Sequence, residues 1–439
     1  LMTTDARSLF SAGAPKAANS TVTIGRAKEP PTVAAIRASF PAFERRHGGQ
    51  QAAYFDGPGG TQVPRAVGEA MTEYLFRHMA NAHWAFPTSM ETDGMLAAAR
   101  ETMADFVNGK PDEIAFGQNM TSLTFHLARS FGRQWNGPET EVVVTELDHQ
   151  SNVAPWAALA LERGITVRTV KMRPEDGRLD WDDLEAALTP RVKLLAIHRA
   201  SNVLGTITDV ARAARMARAV GAHVFVDAVH SAPHDLIDVQ AIDCDFLACS
   251  AYKFYGPHIG ILWGKRDLIE SLDPPQLATA SRNSPERMQT GTQSHESIMG
   301  AAAAVNFFAS LGRGGDTRRR AIESAYHTLE ERSRTLFAEL WRELSSVDGV
   351  MLYGPPPEGP RTPTLSFTVA GHRTAAVATA LGERGLFLSH GHFHGPAVAR
   401  RLKAYDGFVR AGCSCYTTSD EIGRLIEAVA NVAAGRLAA

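Results

Sequence analysis

Cysteine and lysine are both scarce in this chain of 439 residues, which has four cysteines and eight lysines against 37 arginines. Four cysteines are too few for a disulfide scaffold in a chain of this length, and their spacing is not that of a zinc site. A reducing, cytoplasmic setting is therefore expected. Because arginine cannot form an imine with an aldehyde, chemistry that needs a reactive amine has few candidate residues here.

An excess of one charge and long apolar runs are also missing. Lys and Arg number 45 and Asp and Glu number 47, so no basic field is available to bind nucleic acid or an anionic membrane surface. No apolar stretch reaches the length of a membrane-spanning helix, and the N-terminal segment lacks the apolar core of a secretory signal. Residues 1–30 are predicted to form a disordered tail, and the expected partner is a small molecule.

The length of the chain and its 44% of hydrophobic residues favour two domains, since one hydrophobic core rarely serves so long a chain. Between residues 81 and 264, short β-branched runs alternate with helical patterns, which predicts an α/β domain around a mostly parallel sheet. After about His295, helical patterns and further strand-like runs predict a smaller α+β domain. The predicted boundaries are residues 31–297 for the large domain and 298–439 for the small one.

Lys253 and Asp227 point most directly to a chemistry. Asp227 ends the apolar run that begins at residue 222, and Lys253 follows the apolar run at residues 246–249. Ligands collect at the carboxyl ends of parallel strands, where both side chains would lie. Pyridoxal phosphate (PLP) needs a lysine for its Schiff base and a carboxylate at its pyridine nitrogen. Either residue alone has an ordinary explanation, but the joint placement favours PLP.

Groups suited to the cofactor phosphate occur in two places. Asn119 and Met120 open a helical pattern, and backbone N–H groups at a helix start commonly bind phosphate. Ser250, three residues before Lys253, could add a hydroxyl. Both segments also have plain structural explanations, because Asn and Ser are ordinary helix-capping and turn residues.

Two further side chains are candidates for the same site. His149 follows the strand-like run at residues 141–145, and it could stack on the pyridine ring and carry protons, or simply lie in a solvent-exposed loop. Arg410 could pair with a substrate α-carboxylate through two parallel hydrogen bonds. Arginine is common in this chain, so residue type alone does not single out Arg410.

Together these residues resemble the class V, fold type I PLP-dependent enzymes, and within them the cysteine desulfurase and selenocysteine lyase group. The similarity runs from about Tyr54 to the last predicted helix. It rests on the segments 148–156, 200–206, 226–230, 244–257, 291–292 and 409–418. The resemblance implies a large α/β domain with a smaller C-terminal α+β domain, bound PLP, an amino-acid substrate, and a homodimer with shared active sites.

The resemblance also implies roles for individual residues. Lys253, Asp227 and His149 become the catalytic set: the Schiff-base lysine, the partner of the ring nitrogen and the stacking imidazole. Arg410 matches the arginine that binds the substrate carboxylate. The remaining cofactor-binding positions are Asn119, Met120, Asn202, His230, Ser250, Tyr252, Gly291 and Thr292.

Several of these cofactor-binding positions either have a distinct expected role or carry a residue type that is unusual for the group. Gly291 and Thr292 resemble the stretch that reaches the phosphate of a neighbouring subunit. His230 and Tyr252 stand where the group usually has glutamine and histidine, and both can still hydrogen-bond to cofactor oxygens. Asn202 resembles the amide near the phenolic oxygen of PLP.

The largest departure lies in residues 388–395, where desulfurases carry their nucleophilic cysteine and this chain has His394 at the best-matching position. An imidazole cannot accept and store sulfane sulfur as a thiolate does. Cys413 and Cys415 are the nearest thiols, and if residues 408–416 form one strand, alternation turns both away from the face of Arg410. His394 and His83 are expected to contact the substrate. No metal is expected, because these histidine-containing loops offer no carboxylate ligand.

The leading hypothesis is a PLP-dependent enzyme that cleaves the C–S bond of cysteine or an S-substituted cysteine by β-elimination. Elimination needs a base for the α-proton and loss of the sulfur leaving group, so it does not require the loop cysteine. The alternatives are a desulfurase that uses Cys413 or Cys415, a class V aminotransferase or epimerase, and a non-catalytic protein of the same fold.

Overall fold

The computed structural model describes residues 29–436. Residues 1–28, which make up nearly all of the predicted tail, lie outside the described residues. The described part is built around one seven-stranded and one four-stranded sheet. This architecture confirms the predicted α/β fold class.

The seven-stranded sheet has the spatial order β1-β7-β6-β5-β4-β2-β3. All neighbouring pairs are parallel except those made by β7, which is antiparallel to both β6 and β1. Most residues in six of its strands are buried, as expected for a parallel sheet covered on both faces by helices. In chain order the strands are β1 Ile114–Gly117, β2 Glu141–Thr145, β3 Thr166–Val170, β4 Val192–His198, β5 His223–Asp227, β6 Phe246–Ser250 and β7 Gly260–Gly264.

The four-stranded sheet is antiparallel and has the spatial order β8-β9-β11-β10. Its strands are β8 Val350–Tyr353, β9 Thr364–Val369, β10 Ser389–Gly391 and β11 Phe408–Gly412. Three two-stranded pairs complete the strands of the described residues: Arg46–His47 with Gln50–Gln51, Ala53–Tyr54 with Leu386–Phe387, and Met172–Arg173 with Arg178–Leu179.

The helices alternate with the strands of the large sheet and then cover the small one. A representative case is the helix over residues 210–219, which is capped by the Asp209 carboxylate and buries Val210, Ala213, Ala214 and Ala217, the spacing of one helical face. The α-helices are α1 Val33–Ala38, α2 Arg65–Glu73, α3 Pro87–Val107, α4 Met120–Gly132, α5 Ala154–Arg163, α6 Trp181–Ala187, α7 Val210–Ala219, α8 Val239–Ile242, α9 Arg266–Ser271, α10 His295–Ala309, α11 Arg318–Ser345, α12 Thr374–Glu383, α13 Pro396–Arg401 and α14 Ser419–Ala433.

Helix α11 connects the two sheets. Its first half, with Ile322 and Tyr326, packs into the core of the large sheet, and its second half, with Phe337 and Leu340, packs into the core of the small sheet. Helix α10 packs with the large sheet as well. The exact domain limits stay a prediction. Within residues 29–436, none of the helices has the length and apolar character needed to cross a membrane.

Candidate active site

Asp227 is the last residue of β5, near the centre of the large sheet. Its Oδ1 atom accepts the backbone N–H of Val229 at 2.9 Å. The side chain is buried, and burial raises its pKa from 3.8 to about 6, with a further upward contribution from Asp148. A buried carboxylate whose pKa is raised in this way is stabilised by a cationic partner.

Lys253 lies at the neighbouring strand end. Strand β6 stops at Ser250, and a single turn of 3₁₀ helix, Ala251–Lys253, brings the lysine to the edge of the sheet. Its amine is buried and donates to the carbonyl oxygen of Pro58. Burial, assisted by Arg410, lowers the pKa of the amine from 10.5 to about 7. The amine is therefore largely neutral, and so nucleophilic, at slightly alkaline pH.

The start of helix α4 faces both residues across the pocket. Asn119 caps this helix through its Oδ1 atom, which accepts the backbone N–H of Ser122 at 2.9 Å. The next backbone N–H, that of Met120, donates to the hydroxyl oxygen of Ser250 at 3.2 Å. A Cβ atom on Gly260 would lie 2.5 Å from the carbonyl carbon of Asn119, so glycine is needed for β7 to pass this close. The result is a helix N-terminus and a hydroxyl facing one pocket.

His149 forms another wall of this pocket. Its Nδ1 atom accepts the backbone N–H of Ser151 at 3.0 Å and lies 2.7 Å from the Ser151 hydroxyl. In the neutral ring the proton is therefore on Nε2. Burial lowers the pKa of His149 from 6.5 to about 4, and nearby His394 and Lys253 contribute in the same direction. The imidazole is thus neutral at physiological pH and can present a flat, uncharged face.

Arg410 lies on β11 of the small sheet and extends toward the large one. One guanidinium nitrogen, Nη1, donates to the backbone oxygen of Asn202 at 2.9 Å, and Nη2 donates to the Ser389 hydroxyl at 3.3 Å. Asp56 Oδ1 lies 3.7 Å from Nη2, and the Phe393 ring centroid lies 3.9 Å from the guanidinium carbon. The buried Nε atom has no hydrogen-bond partner. A substrate carboxylate that reached this atom would supply the missing acceptor.

Asn202, Tyr252 and His230 also line the pocket. The Asn202 amide donates to the Phe393 carbonyl oxygen at 2.8 Å. The Tyr252 ring lies 5.1 Å from the Lys253 amine and stacks on His258.

His230 is tied to the small sheet rather than left free. Its Nε2 atom lies 3.1 Å from the Thr362 hydroxyl and 3.0 Å from the Thr364 hydroxyl. Burial holds its pKa well below the usual histidine value. The ring is therefore neutral, and it links β9 to the pocket.

Five predicted site residues do not line this pocket. Two of them, Arg410 and His394, contact the lining residues Asn202 and His149. His83 is exposed and pairs with Asp93, Nδ1 to Oδ1, at 3.0 Å. Gly291 and Thr292 are exposed, and neither is among the residues that line the pocket. Their roles stay predictions, and for Gly291 and Thr292 the predicted role lies in the site of a neighbouring subunit.

Asp56 and Phe393 are site residues that the sequence reasoning did not identify. Asp56 accepts a hydrogen bond from the Ser389 hydroxyl at 2.6 Å and approaches Arg410. The signal for Asp56 was its place in the glycine-rich run at residues 56–60. Phe393 had only its position beside His394.

The sequence profile of the family described as Aminotransferase class-V matches residues 53–425. The chain belongs to this family. This confirms the resemblance drawn from the motifs, and the enzymes of this family depend on PLP.

Several known proteins that are similar to this chain are described as cysteine desulfurases. The chain is 32% identical over 406 residues to a cysteine desulfurase of Pectobacterium carotovorum, and the match covers 89% of this chain and 95% of that protein. It is 32% identical over 419 residues to a probable cysteine desulfurase of Streptomyces coelicolor, covering 91% and 96%. The apo structure of a cysteine desulfurase from Thermococcus onnurineus superposes with a TM-score of 0.83 at 25% identity, covering 94% and 100%.

The residues present fit PLP. A buried carboxylate with a raised pKa suits a protonated pyridine nitrogen, and a buried amine with a lowered pKa suits imine formation. The α4 N-terminus and the Ser250 hydroxyl suit a phosphate. All of these groups line one pocket.

Proposed function

We propose that this enzyme cleaves the C–S bond of cysteine or an S-substituted cysteine by β-elimination. One observation carries the proposal. The pocket is lined by Lys253 and Asp227, and Arg410 donates to the backbone oxygen of the lining residue Asn202, whereas the loop beside His149 presents His394 and no thiol. The relatives named cysteine desulfurase support the substrate class.

In this proposal each site residue has a defined task. Bound PLP supplies an electron sink that acidifies the α-proton of the amino acid. Asp227 would keep the ring nitrogen protonated, and the α4 N-terminus with Ser250 would hold the phosphate. Arg410 binds the α-carboxylate through its unpartnered Nε and so orients the α-proton. The Lys253 amine removes that proton, and His149 would cover the face of the cofactor ring.

The four cysteines are poorly placed for a persulfide route. Cys413 and Cys415 are both buried, and burial raises the pKa of each thiol from 9.0 to about 12. Cys249 is buried with its pKa also raised to about 12, and Cys244 is buried with its pKa raised further. A nucleophilic cysteine needs an accessible thiolate. These properties favour elimination over desulfuration through a protein thiol.

Product analysis tests the proposal. Purified, PLP-saturated enzyme is incubated with S-methylcysteine and with cysteine, and we expect free thiol or sulfide together with pyruvate and ammonia in equal amounts. A PLP form converted to the pyridoxamine would instead indicate transamination. Racemised amino acid without thiol release would indicate epimerisation. Either result, without elimination products, would overturn the proposal.

The pH dependence of PLP uptake should report the Lys253 amine. Because imine formation requires the neutral amine, the uptake rate of cofactor-free protein should rise through about pH 7 and level off above it. Arg410→Gln should move the midpoint to higher pH, since Arg410 lowers this pKa. Stopped-flow absorbance checks both. A rate that climbs steadily toward the ordinary lysine pKa of 10.5 would contradict the assignment.

We also propose a homodimer in which two copies of this chain share their active sites. A run of exposed apolar side chains supports this, because such patches mark interaction surfaces. Gly291 and Thr292 are exposed and are not among the residues that line the pocket, so they remain available to a partner. The exposed apolar side chains are Leu75, Phe76, Met79, Trp84, Phe86 and Met90.

Phe76→Glu should dissociate this dimer, because it places a charge at a side chain that is 82% exposed in the single chain. Analytical ultracentrifugation should show a monomer for this variant and a dimer for the wild type. Leu161→Glu is the matched control: Leu161 is also exposed but lies on α5, outside the patch. A wild-type monomer, or a dimer that survives Phe76→Glu, would contradict the proposed surface.

A cytoplasmic location is inferred from the cysteines. All four are free thiols, which suits a reducing compartment.

A further inference from the structure

The segment from His390 to Gly395, here called the mouth loop, has an unusual backbone. Phe393 and His394 have φ angles of 51° and 57°, in the left-handed region that residues with a side chain seldom adopt. The Asn202 amide donates to the Phe393 carbonyl at 2.8 Å, and the Gln150 backbone N–H donates to the His394 carbonyl at 2.9 Å. Contacts from the large sheet's loops therefore hold two consecutive strained residues in place.

The two side chains of this strained pair contact different parts of the site. The Phe393 ring covers the face of the Arg410 guanidinium at 3.9 Å. The His394 ring lies next to the His149 ring, with centroids 5.0 Å apart. The Phe393–His394 pair therefore contacts Arg410 through one side chain and His149 through the next.

Arg410 sets where that amino acid lies. Its face is covered by Phe393 and its buried Nε has no hydrogen-bond partner, so the carboxylate that we assign to it would bind along the edge of the guanidinium. An amino acid anchored there and reacting at Lys253 would lie beside the mouth loop, because Phe393 of that loop contacts Arg410. His394 is exposed in that loop. Among the polar side chains of the mouth loop, His394 is the one whose ring contacts the ring of His149.

We propose, on the basis of the proposed function above, that His394 is the general acid that protonates the departing sulfur. In this step the Cα–H bond breaks and its proton passes to the Lys253 amine. The Cα–Cβ double bond forms, and the Cβ–S bond breaks with its electron pair leaving on sulfur. The His394 imidazolium donates its proton to that sulfur, so the product is a neutral thiol. Solvent returns a proton to the imidazole afterwards.

His149 is less suited to the same task. Burial lowers its pKa to about 4, and its Nδ1 is occupied by the Ser151 backbone N–H. The exposed position of His394 allows solvent to return the proton after each turnover. Histidine is the side chain best suited to proton transfer near neutral pH.

A series of leaving groups tests the role of His394. His394→Ala should lower kcat/KM about 100-fold for S-methylcysteine, whose thiolate is a poor leaving group. The same variant should leave kcat/KM nearly unchanged for β-chloroalanine, because chloride leaves without a proton. His390→Ala is the control, since it removes another exposed histidine of the same loop and should alter neither substrate. An equal loss with both substrates for His394→Ala would overturn the proposal.

A binding readout separates this inference from turnover. Diethylpyrocarbonate modifies accessible histidines, and mass spectrometry locates the modified residues. A ligand without an α-proton, α-methyl-S-benzylcysteine, should slow modification of His394 several-fold but not that of His390, whereas α-methylalanine should protect neither. Absence of this protection would overturn the placement of His394. Loss of the proposed function would look different, because the wild-type enzyme would then eliminate neither S-methylcysteine nor β-chloroalanine.

Discussion

Replacing Lys253 with alanine should abolish the visible absorbance of lysine-bound PLP and lower the rate of thiol release by about 10⁴-fold or more. The variant loses both the amine that bonds the cofactor and the base that takes the α-proton. The amine is buried, its pKa is lowered to about 7, and it lines the same pocket as Asp227. Absorbance spectroscopy and a coupled pyruvate assay measure the two effects separately.

Lys193→Ala is the matched control for that experiment. Lys193 is an exposed lysine on β4, so its loss should change neither the spectrum nor the rate. A Lys253→Ala protein that kept both the absorbance band and elimination activity would show that another amine carries the chemistry.

Replacing Asp227 with asparagine should have opposite effects on stability and on activity. The pKa of this buried carboxyl is raised from 3.8 to about 6, and each pKa unit corresponds to about 1.4 kcal/mol. The stability that Asp227 contributes is present below pH 3.8 and is lost as the pH rises through about 6. In cofactor-free protein at alkaline pH, Asp227→Asn should therefore raise the free energy of unfolding by about 3 kcal/mol.

This stabilisation should shrink as the pH falls toward 3.8, because the carboxyl is then neutral in both states. With PLP bound, the same variant should eliminate thiol about 100-fold more slowly or worse, since the ring nitrogen loses the carboxylate that keeps it protonated. Asparagine retains an oxygen for the Val229 backbone N–H, so the local turn is preserved. Urea titrations of the cofactor-free protein measure the change in stability, and steady-state assays of the PLP-bound enzyme measure the change in activity. A variant with wild-type activity would contradict the role of Asp227.

The sequence predicted the large sheet and the two central site residues because both depend on local pattern. Buried strands appear as continuous apolar runs, and a polar residue at the end of such a run lies at the ligand-binding edge of a parallel sheet. Asp227 and Lys253 follow from this rule. The antiparallel direction of β7 does not, because strand direction depends on how distant parts of the chain pair.

The surroundings of Arg410 could not be predicted from pattern. Asp56 and Ser389 both contact Arg410, although these two residues are 333 positions apart in the chain. The Phe393 contact depends on the pairing of β10 with β11 and on a left-handed backbone at a non-glycine residue. Neither feature has a signature in the local sequence.

The prediction that Cys413 and Cys415 point away from the face of Arg410 rested on an assumption that the structure does not support. It assumed that one strand runs through residues 408–416, whereas β11 ends at Gly412, so strand alternation does not reach either cysteine. Burial carries the argument instead, because Cys413 packs in the core of the small sheet and Cys415 in that of the large sheet.

The most direct test of C–S elimination without a protein thiol is the fate of sulfur from cysteine. The PLP-saturated enzyme is given cysteine for several turnovers, and intact-protein mass spectrometry is combined with assays for sulfide, pyruvate and alanine. The account predicts sulfide and pyruvate in equal amounts, no alanine, and a protein mass that is unchanged. Sulfur bound to the protein and released by a thiol reductant, with alanine as the organic product, would contradict it.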